Sequence, residues 1–183
     1  MEPVVSDSIM GAVLAGGLSS RFGSDKALAT LDGRRLIDRA VDALSRHCRT
    51  VVIIGRDGGA PDWPHPGMGP LGGLAGALRH ARAMGHDAVL SCGVDSVGLP
   101  DDLLALLSPA PAFLHSQPVI GLWPVHTIDT LETILAGSLS HSVMRFADAI
   151  GASPVVPSRA PANVNRPEDL ERLRIDHERQ RKD

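Results

Sequence analysis

Glycines, hydroxyls and cations lie close together in residues 9–28. The stretch opens with an apolar run, residues 9–14, which fits a buried strand better than a helix and is ended by Gly16 and Gly17. Two glycines at a strand end let the backbone approach a ligand closely, because neither carries a Cβ. The hydroxyls and cations that follow are Ser19, Ser20, Arg21 and Lys26. Amide donors surround phosphate oxygens and cations offset their charge, so the stretch predicts a polyphosphate-binding loop.

Spacing sets aside the two commonest nucleotide loops. Ser24 and Asp25 separate Gly23 from Lys26, and no Ser or Thr follows the lysine, so this is not a Walker A loop. Residues 15–18 also lack the G-x-G-x-x-G spacing of a dinucleotide fingerprint. A glycine pair alone would fit a plain strand-to-helix turn with exposed charges. The nearby cations favour the phosphate loop over that alternative.

A second candidate for chemistry is Asp95, which follows the apolar strand predicted at residues 88–92. A carboxylate at a strand end can hold a hard cation, and Mg²⁺ typically takes one or two carboxylates plus waters and phosphates. An aspartate that caps the next turn explains the position equally well. Further glycines, in residues 69–73, open a predicted helix whose amino terminus is a natural anion site.

An alternation of strands and helices must position these groups. The apolar patterns predict strands at 9–14, 51–55, 88–92, 112–114, 119–122 and 154–156, and helices at 34–47, 69–84, 100–107, 128–135, 140–150 and from 167. This order predicts a three-layer α/β fold with a mostly parallel central sheet, in one domain over residues 1–183 whose tail frays after about residue 175. Ligands of such sheets bind beyond the carboxyl ends of the strands, where Gly16, Gly17 and Asp95 all fall.

Composition argues against several classes of partner. The net charge is −3, no basic stripe is present and aromatic residues make up 3% of the chain, so a nucleic-acid partner is not expected. Prolines interrupt the uncharged residues 103–128, which argues against a membrane span. The amino terminus has no positively charged region typical of a secretory signal. With two distant cysteines outside any C-x-x-C motif, we expect a cytoplasmic protein without a membrane partner.

Residues 14–28 resemble the opening signature of the molybdenum cofactor guanylyltransferases, L-A-G-G-x-x-x-R-x-G-x-D-K-x-L. The pair Asp25-Lys26 is the most discriminating part, because related sugar nucleotidyltransferases usually carry other residues before the lysine. The other matching positions are Leu14, Ala15, Gly16, Gly17, Arg21, Gly23 and Leu28. Further resemblance follows in the same order at residues 69–73, 92–100, 117–123 and 163–170, so it spans nearly the whole chain.

The chain departs from the family pattern at several of these motifs. The usual Pro-Cys before the metal-binding aspartate is Gly93-Val94 here. Gly55 stands where the family often has Asn, although the Arg that follows matches. Gln117 replaces His, and Arg166 replaces a Thr helix cap.

The resemblance implies a Rossmann-like nucleotidyltransferase fold and a Mg²⁺-dependent reaction. GMP would pass from GTP to molybdopterin or its molybdenum-loaded form, and pyrophosphate would leave. The implied catalytic residues are Arg21, Lys26 and Asp95, with Asp95 as the metal ligand. The implied nucleotide-binding residues are Leu14, Ala15, Gly16, Gly17, Lys26, Asp62, Gly69, Pro70, Leu71, Gly73 and Asp95, and Asn163 and Asn165 could orient metal waters or substrate. Molybdoenzymes or their chaperones are implied as transient partners.

Two alternatives from other functional classes stay open. The loop chemistry also permits a nucleotidyltransferase that uses CTP or a sugar phosphate, against which Asp25-Lys26 and residues 69–73 argue. The altered residues around Asp95 also permit a catalytically weak, nucleotide-binding chaperone that hands the cofactor to a partner. A nucleotide panel separates the first alternative, and a test for pyrophosphate release separates the second.

Overall fold

A computed structural model of the chain describes residues 6–17, 22 and 25–180, and a six-stranded sheet runs through its centre. The strands are β1 (Ser6–Leu14), β2 (Thr30–Leu31), β3 (Arg34–Arg35), β4 (Cys48–Ile54), β5 (Ala88–Gly93), β6 (Ser96–Val97), β7 (Ala112–Leu114), β8 (Gln117–Pro124), β9 (Ser153–Val155) and β10 (Ala162–Asn163). The helices are α1 (Leu36–Ser45), α2 (Gly69–Ala83), α3 (Leu103–Leu106), α4 (Ile128–Ala136), α5 (Val143–Ala149) and α6 (Pro167–Gln180). Within this described part, no helix has the length and apolar character needed to cross a bilayer.

The central sheet has the strand order β4-β1-β5-β8-β7-β9. Its neighbours run parallel except at β8, which is antiparallel to both β5 and β7. At the end of β1, Leu14 pairs with Ile54 of β4 and with Gly93 of β5. The loops that follow these three strands therefore lie next to one another, at the carboxyl ends of the strands. This arrangement confirms the predicted, mostly parallel α/β sheet.

Helices cover both faces of this sheet. Side chains alternate along β1, so that Met10 and Ala12 pack on one face while Val13 packs on the other. Helices α2, α4 and α5 cover the first face, where Leu78 of α2 is fully buried. Helices α1 and α3 cover the second face, where Leu44 of α1 is fully buried. Parallel strands buried on both faces are typical of the three-layer arrangement that the sequence predicts.

A third, smaller apolar cluster joins α6 to the two short strand pairs. Its buried members are Phe22, Leu31, Leu36, Val97, Val164 and Leu170. Because Leu31 lies in β2, Val97 in β6 and Leu170 in α6, the cluster packs the last helix against both pairs. It thereby holds β6 and β10, which carry residues next to the predicted site.

The short elements differ most from the sequence prediction. The helix predicted from residue 34 begins at Leu36, because Arg34–Arg35 pairs with Thr30–Leu31 across a tight turn. Both turn residues, Asp32 and Gly33, have positive φ, as two-residue hairpin turns require. The pairing of β6 with β10 was not predicted either, because two-residue strands have no hydrophobic periodicity to reveal them.

Candidate active site

An open cleft of about 410 Å³ lies beyond the carboxyl ends of β1, β4 and β5. Its walls include every predicted nucleotide-binding residue except Leu71, and also the predicted Asn163. The predicted residues on the wall are Leu14, Ala15, Gly16, Gly17, Lys26, Asp62, Gly69, Pro70, Gly73, Asp95 and Asn163. The phosphate loop and the acidic strand end therefore share one cleft. The predicted catalytic Arg21, like Ser19 and Ser20, lies outside the described residues.

An ion pair between Lys26 and Asp95 crosses the cleft. Lys26 Nζ lies 2.8 Å from Asp95 Oδ2, and the side chains are only 15% and 23% exposed. Lys26 begins a short 3₁₀ helix, Lys26–Leu28, which is capped by the Asp25 carboxylate accepting from the backbone N–H of Ala27 at 3.1 Å. The cap fixes the direction from which the lysine enters the cleft. Its ammonium group and the carboxylate are thus held where a phosphate and a cation could meet them.

The absence of a side chain at Gly93 makes room for the Asp95 carboxylate. A Cβ at position 93 would lie 2.4 Å from Asp95 Oδ1, far inside van der Waals contact. The backbone of this loop is tied to its neighbours, since the N–H of Val94 donates to Leu14 O at 3.1 Å and that of Val164 donates to Asp95 O at 3.0 Å. Gly93 is one of the departures from the family pattern, and here it permits the ion pair.

Asp62 sits among glycines on the opposite wall and is 8% exposed. A Cβ at Gly16 would lie 2.4 Å from its Oδ2, one at Gly55 would lie 2.8 Å from its Oδ1, and one at Gly73 would lie 3.5 Å from Oδ1. Glycines from three separate segments therefore create the space for this carboxylate. Burial raises the pKa of Asp62, because the charged form loses hydration. The site is suited to a ligand that brings its own hydrogen-bond donors.

Arg56 is a cleft residue absent from the predicted site. Its guanidinium binds the Asp25 carboxylate through both terminal nitrogens, with Nη1 2.8 Å from Oδ2. This contact lowers the pKa of Asp25. Among the described residues, Arg56 Nε is buried without a hydrogen-bond partner. The match of Arg56 to the family pattern next to Gly55 was the sequence signal for it.

Two predicted residues lie elsewhere. The Leu71 side chain is fully buried in the core beneath α2 and does not line the cleft, and its place in the nucleotide site stays a prediction. Side chains at successive helical positions point about 100° apart, and Gly69, Pro70 and Gly73 face the cleft while Leu71 faces the sheet.

The second of these residues is Asn165, which is exposed and outside the cleft wall. Its backbone N–H and that of Arg166 each donate to Asp169 Oδ2 at 2.9 Å, and these bonds lower the pKa of Asp169. Asn165 thus belongs to the start of α6, where Asp169 compensates for the lost Thr cap.

Sheets of this kind bind nucleotides beyond the carboxyl ends of their strands, and the glycine loop and the Lys26–Asp95 pair lie at that edge. The chain is thus a nucleotide-binding α/β protein in its architecture. Comparison with known proteins narrows this class, because the model of the MobA-like NTP transferase domain matches residues 11–149. The chain belongs to this nucleotidyltransferase family, which confirms the resemblance inferred from the sequence motifs.

Curated relatives match nearly the whole chain. One from Acidiphilium cryptum, named molybdenum cofactor guanylyltransferase, is 35% identical over 181 residues, covering 89% of this chain and 92% of the relative. Another of that name, from Rhodobacter capsulatus, is 35% identical over 180 residues, covering 90% and 94%.

Solved structures share the fold. Molybdopterin-guanine dinucleotide biosynthesis protein A from Archaeoglobus fulgidus matches with a TM-score of 0.74 at 20% identity, covering 93% of this chain and 99% of that one. A 4-diphosphocytidyl-2C-methyl-D-erythritol synthase matches with a TM-score of 0.65 at 12% identity, covering 93% and 99%. At these identities the likeness establishes the fold alone, and it confirms the Rossmann-like nucleotidyltransferase fold.

Proposed function

We propose that the protein transfers GMP from GTP to molybdopterin or its molybdenum-loaded form, with release of pyrophosphate. The observation that carries the proposal is the part-buried Lys26–Asp95 pair beside the Gly16-Gly17 loop. The names of the curated relatives support this choice of substrates, because each relative is called a molybdenum cofactor guanylyltransferase.

The reaction needs positioning and charge neutralisation more than covalent work from the protein. A phosphate oxygen of the acceptor attacks the α-phosphorus of GTP, and the bond from that phosphorus to the bridging oxygen breaks as pyrophosphate leaves. The backbone amides of Gly16 and Gly17 would cradle phosphate oxygens. Lys26 would offset the charge that develops on the transferred group and on the pyrophosphate. Arg21, from the same loop, keeps this role as a proposal from the sequence.

The donor groups in the cleft fit Mg²⁺. Among the described residues, no three His, Cys, Asp or Glu side chains gather as they would for a metal bound mainly by protein. Mg²⁺ needs no such cluster, because it is usually held by one or two carboxylates together with waters and phosphates. Asp95 would hold the ion, and Asn163 on the same wall would orient its waters. Once bound, Mg²⁺ would neutralise charge on the phosphates.

Asp62 is the proposed source of guanine selectivity. The N1–H and N2–H₂ groups of guanine are adjacent donors, and a carboxylate accepts from both. The glycines around Asp62 leave space at its oxygens, and Asp62 lines the cleft. Cytosine presents two acceptors beside its single amino group, so it would place an acceptor against the carboxylate. The buried acid therefore supports GTP over CTP.

The deciding experiment incubates the purified protein with Mg²⁺, molybdopterin and one of GTP, ATP, CTP or UTP, and measures pyrophosphate. We expect release with GTP, dependent on molybdopterin, and no release with CTP. Release with CTP would instead assign the protein to a different nucleotidyltransferase activity. Tight GTP binding without pyrophosphate release would favour the cofactor chaperone.

The proposed product is a cofactor that another protein must receive, so we propose transient contact with molybdoenzymes or their chaperones. We also propose a cytoplasmic location. Both cysteines, Cys48 and Cys92, are buried and unpaired, which supports a reducing environment.

A further inference from the structure

Gln117 is a buried amide that connects two separate segments beside the cleft. It is the first residue of β8 and is 8% exposed. Its Nε2 donates to Pro161 O at 2.7 Å, and its Oε1 accepts from Ser96 Oγ at 3.0 Å. Because the Pro161 carbonyl can only accept, the amide nitrogen must face it, and the orientation of the side chain is settled.

The two partners of Gln117 stand next to site residues. Ser96 directly follows Asp95, and Pro161 precedes Asn163 by two positions. The segments pair antiparallel, with Asn163 opposite Ser96, and the N–H of Val164 donates to Asp95 O at 3.0 Å. Asn163 thus lies in β10, and Asp95 lies directly before β6; each of these strands has two residues. Strands this short do not hold a fixed position by their own pairing.

The central sheet anchors this pair through Gln117. In the sheet, Gln117 lies opposite Leu114 of β7, so its backbone belongs to the rigid core. Its side chain bonds one partner in each segment, and the apolar contacts of Val97 and Val164 add no directional constraint. Loss of the amide would leave the pair with its apolar packing and the backbone bond from Val94 N–H to Leu14 O, and so freer to shift against the sheet.

We propose that Gln117 is a positioning residue that sets the separation of Asp95 and Asn163 at the cleft. This inference rests on the proposed function, in which these two side chains face the metal and the phosphates. Gln117 itself is not among the residues that line the cleft. The alternative is a core amide whose hydrogen bonds matter for folding alone.

Four variants separate these two roles. Gln117→Met keeps the length of the side chain and removes both hydrogen bonds, whereas Ser96→Ala removes only the bond on the Asp95 side. Gln117→His restores one donor and one acceptor, because a neutral imidazole has both. Thr127→Val is the matched control, since Thr127 is 7% exposed and its Oγ1 donates to Pro124 O at 2.7 Å. Pro124 is the last residue of β8, at the end of the strand far from Gln117, and it pairs with Ala88 of β5.

The first measurement is backbone hydrogen exchange, which requires no activity. In Gln117→Met we expect exchange of residues 162–164 and 96–97 to rise about tenfold above wild type, with the six-stranded sheet unchanged. Ser96→Ala gives a smaller rise, and Thr127→Val gives none in these segments. If Gln117→Met and Thr127→Val exchange alike in these segments, the proposal is overturned.

The second measurement is the kinetics of GMP transfer. A displacement of about 1 Å at reacting groups costs about 100-fold, so we expect kcat of Gln117→Met to fall by roughly that factor while KM for GTP changes less than about threefold. Gln117→His should recover more of kcat than Gln117→Met, which a packing role would not explain. An unchanged kcat despite raised exchange would also overturn the proposal. If exchange rises in Gln117→Met as expected but the wild-type protein transfers no GMP, the proposed function is refuted and the positioning role stays supported.

Discussion

Replacing Gly93 with alanine tests whether the geometry of the Asp95 carboxylate matters for the reaction. A Cβ there would stand 2.4 Å from Asp95 Oδ1, whereas ordinary contacts begin at 3.4 Å, so the oxygen must move by about 1 Å. That movement strains or breaks the 2.8 Å contact between Asp95 Oδ2 and Lys26 Nζ. Misplacement on this scale costs about 100-fold in rate, which is about 2.7 kcal/mol in the activation barrier.

The fold should tolerate the same change. Gly93 does not have positive φ, so alanine fits the backbone, and fewer unfolded conformations offset part of the lost ion pair. We expect the free energy of unfolding to change by less than about 1.5 kcal/mol. The assays are pyrophosphate release under saturating GTP and Mg²⁺, and thermal unfolding of the same preparation.

Gly137→Ala is the control for the glycine-to-alanine change itself. Its Cβ would meet its nearest neighbour, Ile134 O, at an ordinary 3.4 Å, and the residue lies at the end of α4. This variant should keep wild-type kcat. A Gly93→Ala enzyme with wild-type kcat, and with the Lys26–Asp95 contact intact in its crystal structure, would refute the reasoning.

Four other predictions follow from the same cleft and core. Lys26→Ala should abolish transfer while keeping the circular dichroism spectrum of the wild type, and near-normal turnover would remove Lys26 from the mechanism. Asp62→Asn should weaken GTP binding at least about tenfold by calorimetry, because the new amide group faces the donors of guanine. Burial raises the pKa of Asp62 in the folded state, so ionisation above the unfolded pKa destabilises the fold. The contribution of Asp62 to stability should therefore fall as pH rises from the unfolded pKa through the raised folded one, so in thermal unfolding between pH 4 and 8 the Asp62→Asn variant should gain stability relative to the wild type as pH rises. Burial also raises the pKa of Cys48 to about 12 and that of Cys92 further, so iodoacetamide at pH 8 should label neither thiol until the protein unfolds. Rapid labelling of the folded protein would contradict their burial.

The main sheet could be predicted because its strands are apolar runs bounded by turn residues. The strand predicted at residues 88–92 ends one residue before the observed β5 does. The strand predicted at residues 51–55 ends one residue after the observed β4, which begins three residues earlier, at Cys48. The start of α1 could not be predicted, because the pairing of Arg34–Arg35 with β2 depends on a hairpin rather than on helical spacing. Local patterns also do not reveal β6 and β10, because these two strands pair with each other and lie more than sixty residues apart in the chain.

Within the candidate site, motif and strand order together predicted that the Gly16-Gly17 loop and Asp95 lie beyond the carboxyl ends of the strands. The motifs do not say which side of an element each member faces, which is why Leu71 turned out to be core and Asn165 a helix-start residue. The role of Gly93 depends on the side-chain rotamer of Asp95 two positions later, and only coordinates supply that information.

The ion pair between Lys26 and Asp95 also affects which ligands can bind in the cleft. A lone inorganic anion would have to displace the Asp95 carboxylate from Lys26. The one ion pair it would form with the lysine only replaces the one that is lost. A polyphosphate accompanied by its cation satisfies both ends of the pair at once, since the ammonium gains phosphate oxygens while the carboxylate gains the cation. Under the proposed function, this ion pair would disfavour the binding of free phosphate and favour that of the magnesium–nucleotide complex.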